Sequence, residues 1–151
     1  MTNLLEIEAV EYQANLTAIQ QIRTQVFREE QGISSELEFD GLDANAIHLL
    51  AFLNGRTVGT ARIRELDPNT AKIERLAVLP CARGQGIGSK LTAAALEVIK
   101  KHNKTTAIVH AQAYIAPLYQ KLGFELVGEP FEEAGIAHIK AIAHLSRIEQ
   151  N

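Results

Sequence analysis

Arg83-Gly84-Gln85-Gly86-Ile87-Gly88-Ser89 is the segment whose residue types and spacing point most directly to chemistry. The run 73–79 before it reads as a strand. The run after it carries Ile87, Leu91, Ala94, Ala95 and Val98 at helical spacing. A strand, a glycine-rich loop and a helix start together aim backbone N–H groups, and the positive end of a helix dipole, at an anion. The glycines let the backbone approach a ligand closely. Arg83 adds a guanidinium and Ser89 a hydroxyl. A phosphate-bearing ligand is expected here, and the alternative is an ordinary glycine-capped loop. His48, His110 and His138 fall on three separate predicted strands. A neutral imidazole near pH 7 can take a proton from an ammonium group, although each could equally be a hydrogen-bonded sheet residue. The three share no metal-ligand spacing, and Cys81 is the single cysteine, so no metal site is expected.

The elements that must position these residues follow from periodicity. Residues 4–10 alternate as a first strand, and Asn15 is a candidate N-cap for a helix through about Gln31, with Ile19, Ile22 and Val26 on one face. The acidic stretch 34–45 reads as a loop with room for a short helix. Asn54-Gly55, between β-like runs 47–53 and 57–64, is a strong hairpin signal. A third meander strand covers 71–79, and a helix follows the glycine loop to about 100–103. The strand 105–111 comes after that helical crossover and is expected to lie parallel to its predecessor. A short helix over 115–122 stops at Gly123, and strands 124–127 and 136–145 close the chain. The order predicts an α/β (α+β) fold: one mixed, mostly antiparallel sheet with helices on both faces. At 151 residues the chain is expected to form one domain over 1–151.

A net charge of −3 argues against general attraction to nucleic acid or to an anionic membrane. The first residues lack the basic and apolar regions of a signal peptide, and no apolar run approaches the length of a membrane span. A cytoplasmic location fits these features. The glycine loop also fails two better-known patterns. Ser89 stands where G-x-G-x-x-G needs its last glycine, and Gly88 is followed by Ser89-Lys90 rather than by the Lys-Ser/Thr of a Walker loop.

Arg83-x-x-Gly86-x-Gly88 resembles the acyl-CoA loop of the GNAT superfamily of N-acetyltransferases. Tyr119-Gln120-Lys121-Leu122-Gly123-Phe124 resembles the Tyr-x-x-x-Gly-Phe segment that follows their fifth strand. Residues 26–31, 58–62, 110–112 and 135–139 are similar to the ElaA/YjcF-like branch, with Ala137 where proline is usual. The resemblance spans about 4–145. It implies a parallel strand pair splayed at an acyl-CoA site, with acetyl-CoA as cosubstrate. It also implies backbone contacts from Leu76, Ala77 and Val78 to the pantetheine arm, and pyrophosphate contacts from Arg83, Gly84, Gln85, Gly86, Ile87, Gly88 and Ser89.

The same resemblance sets Tyr119 beside the thioester sulfur. A phenol with pKa about 10 is protonated at pH 7 and can donate to a departing thiolate. For the base that deprotonates the amine, Glu74, Glu30 and His110 are candidates. Glu74 is expected on the strand face it would share with Leu76 and Val78, and Arg75 on the opposite face. Glu30, His48 and His138 are candidates for lining an acceptor pocket. The function implied is acetyl transfer to a primary amine of a small molecule or peptide, directly within a ternary complex. A non-catalytic acyl-CoA-binding module on the same fold is the alternative. A homodimer is compatible with the resemblance.

Overall fold

The computed structural model describes residues 4–145. Residues 1–3 and 146–151, which the one-domain expectation includes, lie outside the described residues, as does the start of the stretch judged against a signal peptide. Seven strands form one sheet in the order β1-β2-β3-β4-β5-β7-β6. They are β1 (Leu5–Val10), β2 (Ile47–Leu53), β3 (Arg56–Asp67), β4 (Thr70–Val78), β5 (Thr106–Gln112), β6 (Glu125–Glu133) and β7 (Ile136–His144). Every neighbouring pair is antiparallel except β4 and β5. The crossover between those two is α3 (Ile87–Lys101), as the helical periodicity predicts. The mixed, mostly antiparallel fold is therefore as expected. Among the described residues no helix is long and apolar enough to cross a membrane.

Helices cover both faces because their apolar stripes have sheet surface to bury against. On one face α3 sets Ile87, Leu91, Ala95 and Ile99 against Leu49, Ala61, Ile63 and Ile73. Gly59 permits this approach, since a Cβ there would stand 3.0 Å from the Leu91 side chain and 3.2 Å from the Ala77 carbonyl. Tyr119 of α4 (Ala116–Lys121) joins the same core. On the other face α1 (Leu16–Arg23) presents Ile19 and Ile22, with Val26 beyond, to Leu50 and Ala77. The predicted long first helix departs from α geometry after Arg23, because Thr24–Glu30 is π-helical. Ser34 caps α2 (Ser35–Glu38) inside the predicted loop, accepting from the Leu37 N–H at 3.4 Å. Asn54 and Gly55 have φ of 52° and 82°, as the tight hairpin turn requires.

One irregularity controls the functional end of the sheet. Thr60 pairs with Ala77 and Arg62 with Glu74, so Arg75 and Leu76 together oppose Ala61 in a β-bulge. Arg75 sits at φ 55°, a left-handed conformation uncommon for a side-chain-bearing residue. An extra residue reverses the facing of everything after it. This corrects the sequence expectation for Glu74. Leu76 and Val78 pack on the α3 side with Ile73, while Ala77 packs on the α1 side. Glu74 and Arg75 both turn to that second side and enter one charge network, instead of pointing to opposite faces.

The centre of the network is Arg62, fully buried in mid-β3. Its guanidinium donates to Asp40 at 2.8 and 2.9 Å, to Asp43 at 2.9 Å and to Glu74 at 2.8 and 3.1 Å. Arg23, also buried, pairs with Glu38 at 2.5 Å and with Asp43 at 2.6 Å. Burial disfavours both cations, yet their partners more than offset it, and both pKa values are raised. Arg62 holds the Asp40 carboxyl well below the usual range. Burial pushes Asp43 and Glu74 upward, but the surrounding guanidinium groups prevail and both are lowered.

Removing one member of such a cluster leaves buried charge uncompensated. Arg62→Ala should lower unfolding free energy by about 3–5 kcal/mol, read by urea denaturation. A change under ~1 kcal/mol would mean that the cluster does not hold the fold. Carboxylates with depressed folded pKa values stabilise the native state above their unfolded pKa of about 4, and that contribution is lost as pH falls through the lower folded values. The melting temperature should therefore drop progressively below about pH 4, and by less in Asp40→Asn. An equal acid response in that variant would contradict the assignment.

Candidate active site

Pairing between β4 and β5 runs only from Thr70↔Thr106 to Ile73↔Val109. Beyond that point β4 stays with β3 and β5 with β7, and the two parallel strands separate. A cavity of about 360 Å³ occupies the gap. Leu76, Val109, Ile115 and Tyr119 line it, together with a polar set that includes His110, Glu133, His138, Lys72 and Arg75. At the end of β5, Gln112 donates to the Gln31 side chain at 3.1 Å and ties the strand to the end of the first helical segment.

The glycine loop sits where β4 ends. A short 3₁₀ turn, Pro80–Ala82, leads into Arg83, and Gly84 and Gly86 take φ of 79° and 76°. Gly86 is the N-cap of α3 and provides no side-chain cap, so the first-turn N–H groups of Ile87, Gly88 and Ser89 lack intrahelical acceptors. That arrangement suits an anion. Arg83 reaches back from the loop to the end of β4 and to the first helical segment. Its Nε donates to the Val78 carbonyl at 3.0 Å, and its two terminal nitrogens hold Glu30 at 2.5 and 2.6 Å. Glu30, a candidate for the acceptor pocket, therefore does not line the cavity. It is the counter-ion of the loop arginine, and its carboxyl pKa is lowered mainly by that hydrogen bond.

The structure separates the three histidines. His48 is buried outside the cavity, stacked 4.6 Å from the Tyr12 ring with Nε2 2.9 Å from the Asp43 carbonyl. Burial holds its pKa below the ordinary value, so it is neutral at pH 7. His110 and His138 both line the cavity. Between them is Glu133, with Oε1 3.1 Å from His110 Nδ1 and Oε2 3.7 Å from His138 Nε2. Phe131 meets the His110 ring edge-on at 5.1 Å and stacks on His138 at 5.9 Å. His138 Nδ1 lies 2.7 Å from the Ile136 carbonyl, which fixes that ring. When Nδ1–H of His110 donates to Glu133, its Nε2 keeps a lone pair.

Glu133 escapes the sequence pattern because the run that predicts the sixth strand ends at Val127. It extends to Glu133, which pairs in register with Ile136, while Phe131 pairs with His138. A signal was present in residues 131–138, where an aromatic, carboxylates and a histidine flank Ala134-Gly135. Glu74, expected near the reacting carbonyl, lines the cavity but is engaged by Arg62, Arg64 and Lys72. Tyr119 is buried beside Phe124, with ring centroids 5.5 Å apart. Burial, aided by Tyr114, pushes its phenol up to about 12, so it is protonated at any working pH.

Residues 8–142 match the family described as an acetyltransferase (GNAT) domain. The chain belongs to the GNAT acetyltransferase family. It is an acyltransferase, and the expected ElaA/YjcF-like branch is supported by relatives. ElaA of Escherichia coli is 33% identical over 83% of this chain and 85% of the relative. Its crystal structure superposes with a TM-score of 0.83 at 30% identity, covering 93% of this chain and 100% of that one. The N-acetyltransferase YjcF of Bacillus subtilis is 31% identical over 79% of this chain and 85% of the relative. An acyl-CoA N-acyltransferase from Pseudomonas aeruginosa is 30% identical with a TM-score of 0.80, covering 93% of this chain and 99% of that one.

For Arg83 to reach an anion at the glycine loop, its guanidinium would have to leave Glu30. The two side chains are well exposed, and exposed pairs are worth at most about 1 kcal/mol. Glu30→Gln should then bind ADP, used as a pyrophosphate probe in calorimetry, up to about fivefold more tightly. Weaker binding in the variant would show that Glu30 supports the ligand instead of competing with it.

Proposed function

We propose that the protein transfers the acetyl group of acetyl-CoA to a primary amine of a small molecule or peptide, by direct attack within a ternary complex. The observation that carries this reading is a single cavity lined both by Leu76 and Tyr119 and by His110 and Glu133. The thioester and the amine would then meet without a covalent enzyme intermediate. The glycine loop, the open N-terminus of α3 and Arg83 suit the pyrophosphate. The edge of β4 at Leu76, Ala77 and Val78, unpaired toward β5, suits the pantetheine amides as an added strand.

In this mechanism His110 Nε2 takes a proton from the incoming amine, and Glu133 orients the ring and stabilises the resulting imidazolium. The amine nitrogen attacks the carbonyl carbon. A C–N bond forms, the C–S bond breaks, and the Tyr119 phenol gives its proton to the leaving sulfur. The proton taken by His110 leaves through solvent and Tyr119 is reprotonated, so amine and thioester become amide and thiol. Glu74, with its charge held by three cations, is better suited to shaping the wall than to accepting a proton. A lowered carboxyl pKa makes it a weak base.

Thiol release from acetyl-CoA, followed in a Cys81→Ser background to remove the exposed protein thiol, should depend on added amine. His110→Ala should lower kcat by about 10²-fold or more, in the range of general base catalysis. Tyr119→Phe should lower it by about tenfold to hundredfold, because a thiolate leaves more readily than an amine, with acetyl-CoA affinity within about twofold of the parent. Unchanged turnover in either variant removes that residue from the mechanism. Acetyl-CoA binding with no release across polyamines, amino sugars, amino acids and peptides would favour a binding module.

A further inference from the structure

One wall of the cavity sets cations among the carboxylates of Glu38, Asp40 and Glu74. Arg64, Lys72 and Arg75 all line it. They share partners with the buried arginines: Arg64 and Lys72 reach Glu74, and Arg75 reaches Asp40. The connected network holds Arg23, Arg62, Arg64, Lys72 and Arg75 against Glu38, Asp40, Asp43 and Glu74. Five cations meet four carboxylates, and the four are already taken up by the two fully buried arginines. The network as a whole therefore carries one surplus positive charge.

Arg75 shows the imbalance most directly. Its Nη2 donates to the carbonyls of Leu37 and Glu38 and to Asp40, but its Nε, shielded from solvent, has no partner among the described residues. Its pKa is depressed, first by burial and then by Arg62. The residue also holds a strained left-handed backbone at the bulge, and such outliers persist where the surroundings enforce them, often at ligand clamps. An unpaired donor, a surplus charge and stored strain on one wall mark the place of an anion. Among the described residues the same wall also carries an acceptor without a partner, Glu38 Oε2, which suits a hydroxyl or N–H of the same ligand.

This anion is not the coenzyme pyrophosphate. Lys72 precedes Val78, where β4 meets the glycine loop, by six residues, about 20 Å of extended strand. The same cavity holds the His110–Glu133 pair that would receive the amine proton.

Resting on the amine-transfer reading above, we propose that the acceptor is an amine that also carries a carboxylate, an amino-acid-like molecule. Its carboxylate would dock on Arg75 and Lys72 while its amine faces His110. Polyamines, which lack an anion, would leave that donor and that charge unmatched.

The test uses matched pairs: free amino acids and the amines identical to them except for the missing carboxylate. Each pair is measured for thiol release from acetyl-CoA and, independently, for binding by saturation-transfer NMR. Accepted amino acids should exceed their decarboxylated partners at least tenfold in kcat/KM, with the difference mainly in KM, and should alone give binding signals. Lys72→Gln should collapse the ratio toward unity. Retention of its melting temperature would show that the loss is not unfolding. Equal or better use of the decarboxylated amines, or a ratio unaffected by Lys72→Gln, would overturn the proposal. Absence of turnover with every amine, together with carboxylate-dependent binding that Lys72→Gln abolishes, would overturn the catalytic reading and leave the anion site standing.

Discussion

Arg62 is a guanidinium with no water around it, in the middle of the strand that pairs with β4. A charge in that position is tolerated only when it is paired and hydrogen-bonded. Its partners come from two places: Asp40 and Asp43 from the segment after α2, and Glu74 from β4. Asp43 and Glu38 in turn hold Arg23 on α1. One side chain thus ties the first helix, the connecting segment and the sheet into a single wall. A leucine of similar volume could fill the space, but it could not dictate where residues 38–43 lie.

The functional geometry grows from that wall. Glu74 is drawn toward Arg62, and the bulge that follows sends Arg75 to the same side while returning Leu76 and Val78 to the α3 core. Just past Ile73 the β4–β5 ladder stops, so β4 keeps an unpaired backbone edge facing a cavity. The π-helical turn at Thr24–Glu30 places Phe27 on that cavity and lets Glu30 reach Arg83. Local departures from ideal α and β geometry thus gather where the ligands would bind, as is common at functional sites.

The parts of this site legible in the sequence are those with short-range patterns. The glycine loop announces itself because Gly84 and Gly86 must adopt positive φ next to a helix start. The Asn54-Gly55 hairpin and the α3 stripe are equally local. Arg75 was not legible, since no glycine or asparagine marks its left-handed turn, and strict alternation carried past it put Glu74 with the wrong neighbours. Arg23 and Arg62 were missed for another reason. Arg23 lies among the apolar helix positions Ile19, Ile22 and Val26, Arg62 lies between Ala61 and Ile63, and their carboxylate partners are 12 to 22 residues away, where periodicity has no reach. An isolated arginine within Val58–Ile63, otherwise small or apolar, was the available hint. Glu133 becomes visible only once β6 is seen to continue past the irregularity after Val127 and return beside His138.

The central claim is that one cavity, held open by the Arg62 network, takes the thioester and the amine together. Initial velocities measured over a grid of acetyl-CoA and an accepted amine test it most directly. Direct transfer within a ternary complex predicts double-reciprocal lines that intersect. Parallel lines, the pattern of an acyl-enzyme that releases thiol before the amine binds, would contradict it.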